Sequence, residues 1–259
     1  MLSATLMNLN TRLPFLLDLN RDDFPSPEQA LTHPDGLLAI GGDLSPTRLI
    51  KAYYHGIFPW FTEEDPILWW SPSLRAVLAP SDFHLSRSLK KLIKKQAFQV
   101  TVNQCFNKVI DRCAKAHAHQ GTWITATMIH AYTQLHRAGH AHSIEVWQDQ
   151  QLVGGLYGVS TGGIFSGESM FQCTSNASKV AFAALIALLK SEHNDNGVLI
   201  DCQLLNPHLA TLGVHNIART HYLHLLEQYR DKFHLKPTWA QANKLITNAL
   251  TSLTNVSSI

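Results

Sequence analysis

Asp201 and Gln203 stand two residues apart in the strand-like run Leu199-Ile200-Asp201-Cys202-Gln203, so both side chains are expected on one face. A carboxylate beside an amide can take up or relay the proton of an amine. A buried aspartate bonded to backbone groups fits the same pattern. Glu168 follows a glycine in a run otherwise apolar at Ile164, Phe165, Met170 and Phe171. An acid there can hold a substrate ammonium or a cationic side chain, or pair with a neighbouring Lys or Arg. A third group is basic. Residues 83–110 contain no Asp or Glu but carry Arg87, Lys90, Lys91, Lys94, Lys95 and Lys108, a local charge of +6. Acids and bases nearly cancel elsewhere, so this asymmetry points to a polyanionic partner, with a solvated helix face as the plain alternative.

Fifteen histidines call for a metal test. His140 and His142 share a strand face and His136 lies just before them, yet no Cys or carboxylate sits at a companion spacing and HExxH is absent. No metal or other cofactor is expected. The four cysteines form no CxxC pair and are too sparse for a disulfide scaffold, which points to a reduced, cytoplasmic protein. The 259 residues are 45% hydrophobic and 15% charged, enough apolar material for a sizeable core, which excludes disorder. The longest apolar run, residues 180–189, is half of the roughly 20 residues a bilayer span needs. A signal peptide is not expected either, since Asp18 interrupts the apolar residues 13–17.

The elements that must position these groups are legible in part. Proline and glycine punctuate the first 70 residues. One short helix stands out there, with Ser45 as its cap, Pro46 at its first position and an apolar face of Leu49, Ile50 and Tyr53. This predicts a small N-terminal domain, residues 1–73, ahead of a larger one, 74–259. In the larger unit helices are predicted at 86–95, 103–117, 125–138, 176–190 and 207–212. Strands are predicted at 98–102, 143–148, 152–160, 164–170 and 198–202. Turn signals at 149–151 and 161–163 make the middle three strands a meander of hairpins.

Strand, two helices, three antiparallel strands, helix, strand, helix is the order of the GNAT-type acyltransferase fold, an α/β mixed sheet flanked by helices. Fold alone does not fix function. In that fold a glycine-rich loop after the last hairpin strand wraps the pyrophosphate of CoA. The corresponding residues here, 169–178, contain no glycine, and a backbone that must hug a pyrophosphate needs residues without side chains. A CoA donor is disfavoured.

Several blocks are recognisable together: Phe24-Pro-Ser-Pro27, Gly36-Leu-Leu-Ala-Ile-Gly-Gly-Asp-Leu-Ser-Pro46, Gly56-Ile-Phe-Pro-Trp-Phe61 and Ile67-Leu-Trp-Trp-Ser-Pro72. With them come Gly121-Thr-Trp-Ile-Thr125, Gly139-His-Ala-His-Ser-Ile-Glu-Val-Trp147, Gly154-Gly-Leu-Tyr-Gly158, Gly167-Glu-Ser-Met-Phe171 and Leu199-Ile-Asp-Cys-Gln203. In this order, from about residue 24 to about residue 230, the chain resembles the leucyl/phenylalanyl-tRNA–protein transferases. Residues 1–20 and 238–259 match nothing in that pattern. The tail's Leu245, Ile246, Leu250 and Leu253 fit a docked helix or a partner contact.

The resemblance implies transfer of Leu or Phe, with Met a further candidate, from aminoacyl-tRNA to the N-terminal Arg or Lys of an acceptor protein, marking it for degradation. It implies that Asp201 and Gln203 form the relay activating the attacking amine and that Glu168 belongs to the same site. Whether Asp201 is a true base or only positions the amine stays open. Leu156, Met170, Leu185 and Ile200 match the amino-acid pocket. Tyr53, Trp60, Trp123 and Tyr132 match aromatic positions around the 3′-adenosine, where stacking holds an unpaired base. Arg75, Arg87, Lys90, Lys91, Lys94 and Lys95 are then the tRNA track. Such a chain needs no membrane and is expected to act as a monomer. Two other readings compete: a CoA-dependent N-acyltransferase and a non-catalytic tRNA-binding module.

Overall fold

The computed structural model describes residues 13–117, 122–193, 197–231 and 236–255. Four short strands form a small sheet at the N-terminal end: β1 (Phe15–Leu17), β2 (Leu37–Gly41), β3 (Phe58–Pro59) and β4 (Leu68–Trp70), in the order β1-β2-β4-β3. Between β2 and β3 runs α1 (Pro46–Tyr54), started as expected by the Ser45 hydroxyl, which accepts from the Arg48 N–H.

The chain continues with β5 (Leu74–Leu78), α2 (Arg87–Lys94), β6 (Gln99–Val102), α3 (Phe106–His117) and α4 (Ala126–Arg137). Ser86 and Thr125 cap α2 and α4. The meander is β7 (Ala141–Gln148), β8 (Gln151–Thr161) and β9 (Ile164–Gln172). Asp149 and Gln150, at φ of 50° and 62°, supply the two left-handed residues that a tight hairpin needs. Then come α5 (Ala177–His193), β10 (Leu199–Asp201), α6 (Pro207–Ala210), β11 (His215–Ala218), α7 (Arg219–Tyr229) and α8 (Lys236–Asn255). The expected mixed sheet flanked by helices is present, and its predicted elements appear in the predicted order.

The large sheet has seven strands in the order β11-β5-β10-β9-β8-β7-β6, antiparallel throughout except for the parallel pair β9 and β10. Two of these strands, β5 and β11, go beyond the sequence reading. β5 falls where a domain boundary was expected, yet it pairs with both β10 and β11. Its pairing places β10 inside the sheet, buried at every residue. Packed on the sheet, α5 is buried from Val180 to Leu189, as its all-round apolar sequence requires. The small sheet and α1 share a core with α3 and α4: Leu38, Leu49, Tyr53 and Trp69 cluster with Phe106, Ile110, Met128 and Tyr132.

The tail is a docked helix. α8 lies on α5, Trp239 stacks on His142 at 4.2 Å, and the Asn243 amide bonds both the N–H and the C=O of Val102 on the outermost strand, β6. Among the described residues no helix is long and apolar enough to cross a membrane.

Candidate active site

β9 and β10 pair only as far as Ser166 and Asp201. Beyond that point β9 continues to Gln172 paired with β8 only, while the chain after β10 bends away. A cavity of about 640 Å³ opens in the gap, lined by 167–172 of β9, 202–204, the first half of α5, the segment around α6, Phe58-Pro59-Trp60, and Trp123.

The irregularity that aims Glu168 lies in the β8–β9 ladder. Tyr157 pairs with Ser169 and Gly158 with Gly167, so Glu168 is an extra residue without a partner across the ladder. Such a bulge breaks the alternation of side chains and re-aims one of them. Gly158 permits it, because a Cβ there would stand 2.3 Å from the Ser166 carbonyl. Glu168 receives a hydrogen bond from the Tyr132 hydroxyl at 3.1 Å and one from Gln203 Nε2 at 3.0 Å. The Tyr53 hydroxyl bonds that of Tyr132 from behind. Burial raises the Glu168 carboxyl to about 7; hydrogen bonds from Tyr53 and Tyr132 hold it down, Asp201 pushes it up and Arg75 pulls it back. The phenols of Tyr53 and Tyr132 are pushed well above 10 by burial and by the charge of Glu168.

Asp201 is placed differently from the sequence expectation. It is wholly buried and does not line the cavity. Its carboxylate is gripped by Arg75 through Nε and Nη2, both at 2.7 Å, and accepts further from Tyr222, Ser166 and the Gln203 N–H. Gln203 lies past the end of β10 with φ at 54°, so two-residue alternation no longer applies and only Gln203 faces the cavity. The positive φ is held by the bond from its own N–H to Asp201 Oδ1 at 3.0 Å.

Four further placements correct the sequence reading. Tyr53 and Tyr132 are buried at 2% and 0% exposure, so their rings offer no open stacking surface; their hydroxyls serve Glu168 instead. Ile200 belongs to the closed core beside α5 and does not line the cavity, whereas Leu156, Met170 and Leu185 do. Arg75 is not on the basic track, since it is 1% exposed and spent on Asp201. Trp60 and Trp123 do line the cavity, Trp60 with 41% of its surface exposed. Arg87, Lys91, Lys94 and Lys95 extend into solvent from α2, with Lys90 partly covered. Gly121 of the expected Gly121–Thr125 motif lies outside the described residues.

The sequence reading missed Phe165, Phe171 and Phe182, which furnish much of the apolar wall, and Tyr222, which holds Asp201. An arginine inside the otherwise apolar run Leu74–Leu78 was the available sign that Arg75 is buried with a partner. Two of the histidines are used inside the fold: His136 stacks on Phe106, and the His142 ring nitrogens meet Asn103 and Ser160. Among the described residues no three His, Cys, Asp or Glu side chains form a metal site.

Residues 77–227 match the family model described as leucyl/phenylalanyl-tRNA protein transferase, and residues 42–73 match the N-terminal domain of the same family. The chain belongs to the leucyl/phenylalanyl-tRNA–protein transferase family. As a member it is an aminoacyltransferase. A relative of that name from Salmonella arizonae is 55% identical over 219 residues, 84% of this chain and 92% of the relative. Another, from Pectobacterium carotovorum subsp. carotovorum, is 57% identical over 208 residues, 80% and 87% of the two chains. Among solved structures, L-PGS from Bacillus licheniformis is 12% identical at a TM-score of 0.38, covering 82% of this chain and 73% of that one.

Proposed function

We propose that the cavity joins the Leu, Phe or Met of an aminoacyl-tRNA to the α-amine of an acceptor protein beginning with Arg or Lys, so marking it for N-degron proteolysis. One observation carries the reading: an amide and a carboxylate, Gln203 and Glu168, are bonded to each other on the wall of an apolar cavity that also holds two indoles. The ester is already activated. The α-amine has an ordinary pKa of about 7.7–8.0, so roughly a tenth or more is neutral at pH 7 and no powerful base is required. The neutral amine attacks the ester carbonyl, the new C–N bond forms, the bond to the ribose oxygen breaks, and that oxygen takes up the proton the amine loses.

Within this reading Gln203 donates through Nε2 to Glu168, which leaves its Oε1 to accept from the amine. Glu168, with a carboxyl near 7, suits transient proton uptake and attraction of the acceptor's positive charge. Asp201 acts through the Gln203 main chain and not by contact with substrate. Leu156, Met170 and Leu185, with the nearby phenylalanines, take the transferred side chain. Met is adaptable, and an apolar wall discriminates by only about 1–3 kcal/mol per methylene, which suits a pocket for both Leu and Phe. Trp60 and Trp123 hold the terminal adenosine, and Arg87, Lys90, Lys91, Lys94 and Lys95 track the tRNA backbone. The chain is read as a cytoplasmic monomer with a GNAT-like unit, residues 74–259, behind a smaller one, 1–73. No observation favours the CoA-dependent or the non-catalytic alternative.

The test is transfer of radiolabelled Phe from Phe-tRNA to a protein with N-terminal Arg. Labelled acceptor supports the reading. Tight tRNA binding without transfer from Phe-, Leu- or Met-tRNA sinks it.

A further inference from the structure

A buried cation destabilises a fold unless every direction it presents is answered, and Arg75 meets that condition with partners from separate pieces of chain. Its Nε and Nη2 go to Asp201, and its Nη1 donates to the Gly56 carbonyl at 3.1 Å. The flat faces of the guanidinium are covered by the rings of Phe58 at 4.7 Å and Tyr222 at 4.5 Å. Gly56 is fitted to this node, since a Cβ there would stand 2.9 Å from the Tyr222 ring.

The partners matter for where they lead. Gly56 and Phe58 belong to the stretch that runs directly into Trp60. Asp201 lies two residues before Gln203 and bonds its N–H. Both stretches line the cavity, and they come from opposite ends of the sequence. No helix or ladder joins β3 to β10, because they sit in different sheets. The guanidinium bridges them.

We propose that Arg75 is a positioning residue for aminoacyl transfer, fixing the stretch that bears Trp60 against the stretch that bears Gln203. Resting on the transferase reading of the cavity, the proposal gives the buried arginine a role in neither phosphate contact nor proton transfer. Ester and amine are brought to one point by two walls, and a displacement of about 1 Å at such a point costs on the order of 10²-fold in rate. A lysine has the charge but not the planar fork, so it cannot hold both Asp201 oxygens and the Gly56 carbonyl together.

The test compares the unaltered chain with Arg75→Lys and Tyr222→Phe, using Phe-tRNA and an Arg-initiated peptide at a temperature where thermal unfolding shows each protein folded. Arg75→Lys should lower kcat by about 10²-fold while the tRNA Kd and its salt dependence stay unchanged. Tyr222→Phe keeps the ring over the guanidinium and removes one bond to Asp201, so kcat should fall by only about 3- to 10-fold, the worth of one hydrogen bond. An unchanged kcat in Arg75→Lys overturns the proposal and leaves a folding staple. A loss confined to tRNA Kd, with a shallower salt slope, overturns it in favour of a phosphate contact. If Arg75→Lys does not fold, Tyr222→Phe decides alone, and an unchanged kcat there overturns the proposal. Absence of transfer by the unaltered chain shows before any variant is compared, and it removes the transferase reading together with the proposal.

Discussion

Two charged regions of this molecule are built on opposite principles. Around β9 and β10 the charges lie inside the protein, and Asp201 alone is answered by four other residues. Along α2, Arg87, Lys91 and Lys94 stand in water on a helix whose one buried residue is Leu89. Charge held in a low-dielectric setting is sensitive to small displacements and nearly blind to salt. Charge in solvent is tolerant of position and strongly screened. The first arrangement suits bond formation at one point, the second the capture of a long polyanion in several registers.

The contrast can be broken most sharply at Asp201. Asp201→Ala leaves Arg75 buried without a counter-charge, and the folded state should lose about 3–5 kcal/mol, read by urea unfolding. A loss below about 1 kcal/mol, the scale of an exposed ion pair, would show that the node is hydrated after all. At the cavity wall, Glu168→Gln keeps shape but removes the charge. General acid–base contributions run from about 10² to 10⁴, so kcat for transfer should fall by at least about 10²-fold; an unchanged kcat removes Glu168 from the chemistry.

Glu168 also has a signature in stability. Its folded value, about 7, lies above its ordinary 4.5, so the folded chain holds this proton more tightly than the unfolded one. The stabilisation is fully present below about pH 4.5 and lost as pH rises through 7. Between pH 5 and 8 the unaltered protein should lose up to about 3 kcal/mol relative to Glu168→Gln. Parallel pH–stability curves for the two proteins would contradict that.

Trp60→Ala should weaken binding of the aminoacyl-adenosine end by about 1–3 kcal/mol with little change in fold, measured as KM for aminoacyl-tRNA. The smallest single effects belong to α2. Lys91→Gln or Lys94→Gln should weaken tRNA binding several-fold, reduce the salt slope by about 0.9 for each phosphate no longer neutralised, and leave kcat in place. A drop in kcat there would erase the distinction between the two regions.

What the sequence made legible follows local rules. The cap at Ser45, the turn after residue 148 and the apolar length of α5 each depend on a few adjacent residues, and each is found as expected. The lysine face is equally local, since its spacing along one helix is enough to expose it. What escaped depends on long-range pairing. β5 is five residues between Pro72 and Pro80, and only its partners β10 and β11 reveal it as a strand. The bulge that isolates Glu168 is a property of two strands together, and no spacing within 164–172 contains it. Arg75 looked like the start of a basic run because its counter-ion lies 126 residues away. Tyr53 and Tyr132 are aromatics whose hydroxyls, not their faces, carry the contact, and sequence does not tell the two apart.

The amide of Asn243 on Val102 has a consequence for how the chain comes off the ribosome. The outer strand of the large sheet is made early, and the side chain that seals it follows 141 residues later. Until then the Val102 N–H and C=O lack this partner, and an unanswered strand edge is open to pairing with another extended segment. The edge of the large sheet is therefore answered at Val102 only once α8 has been made. A chain interrupted between β11 and Asn243 would carry every cavity-lining residue and still be prone to join others edge to edge.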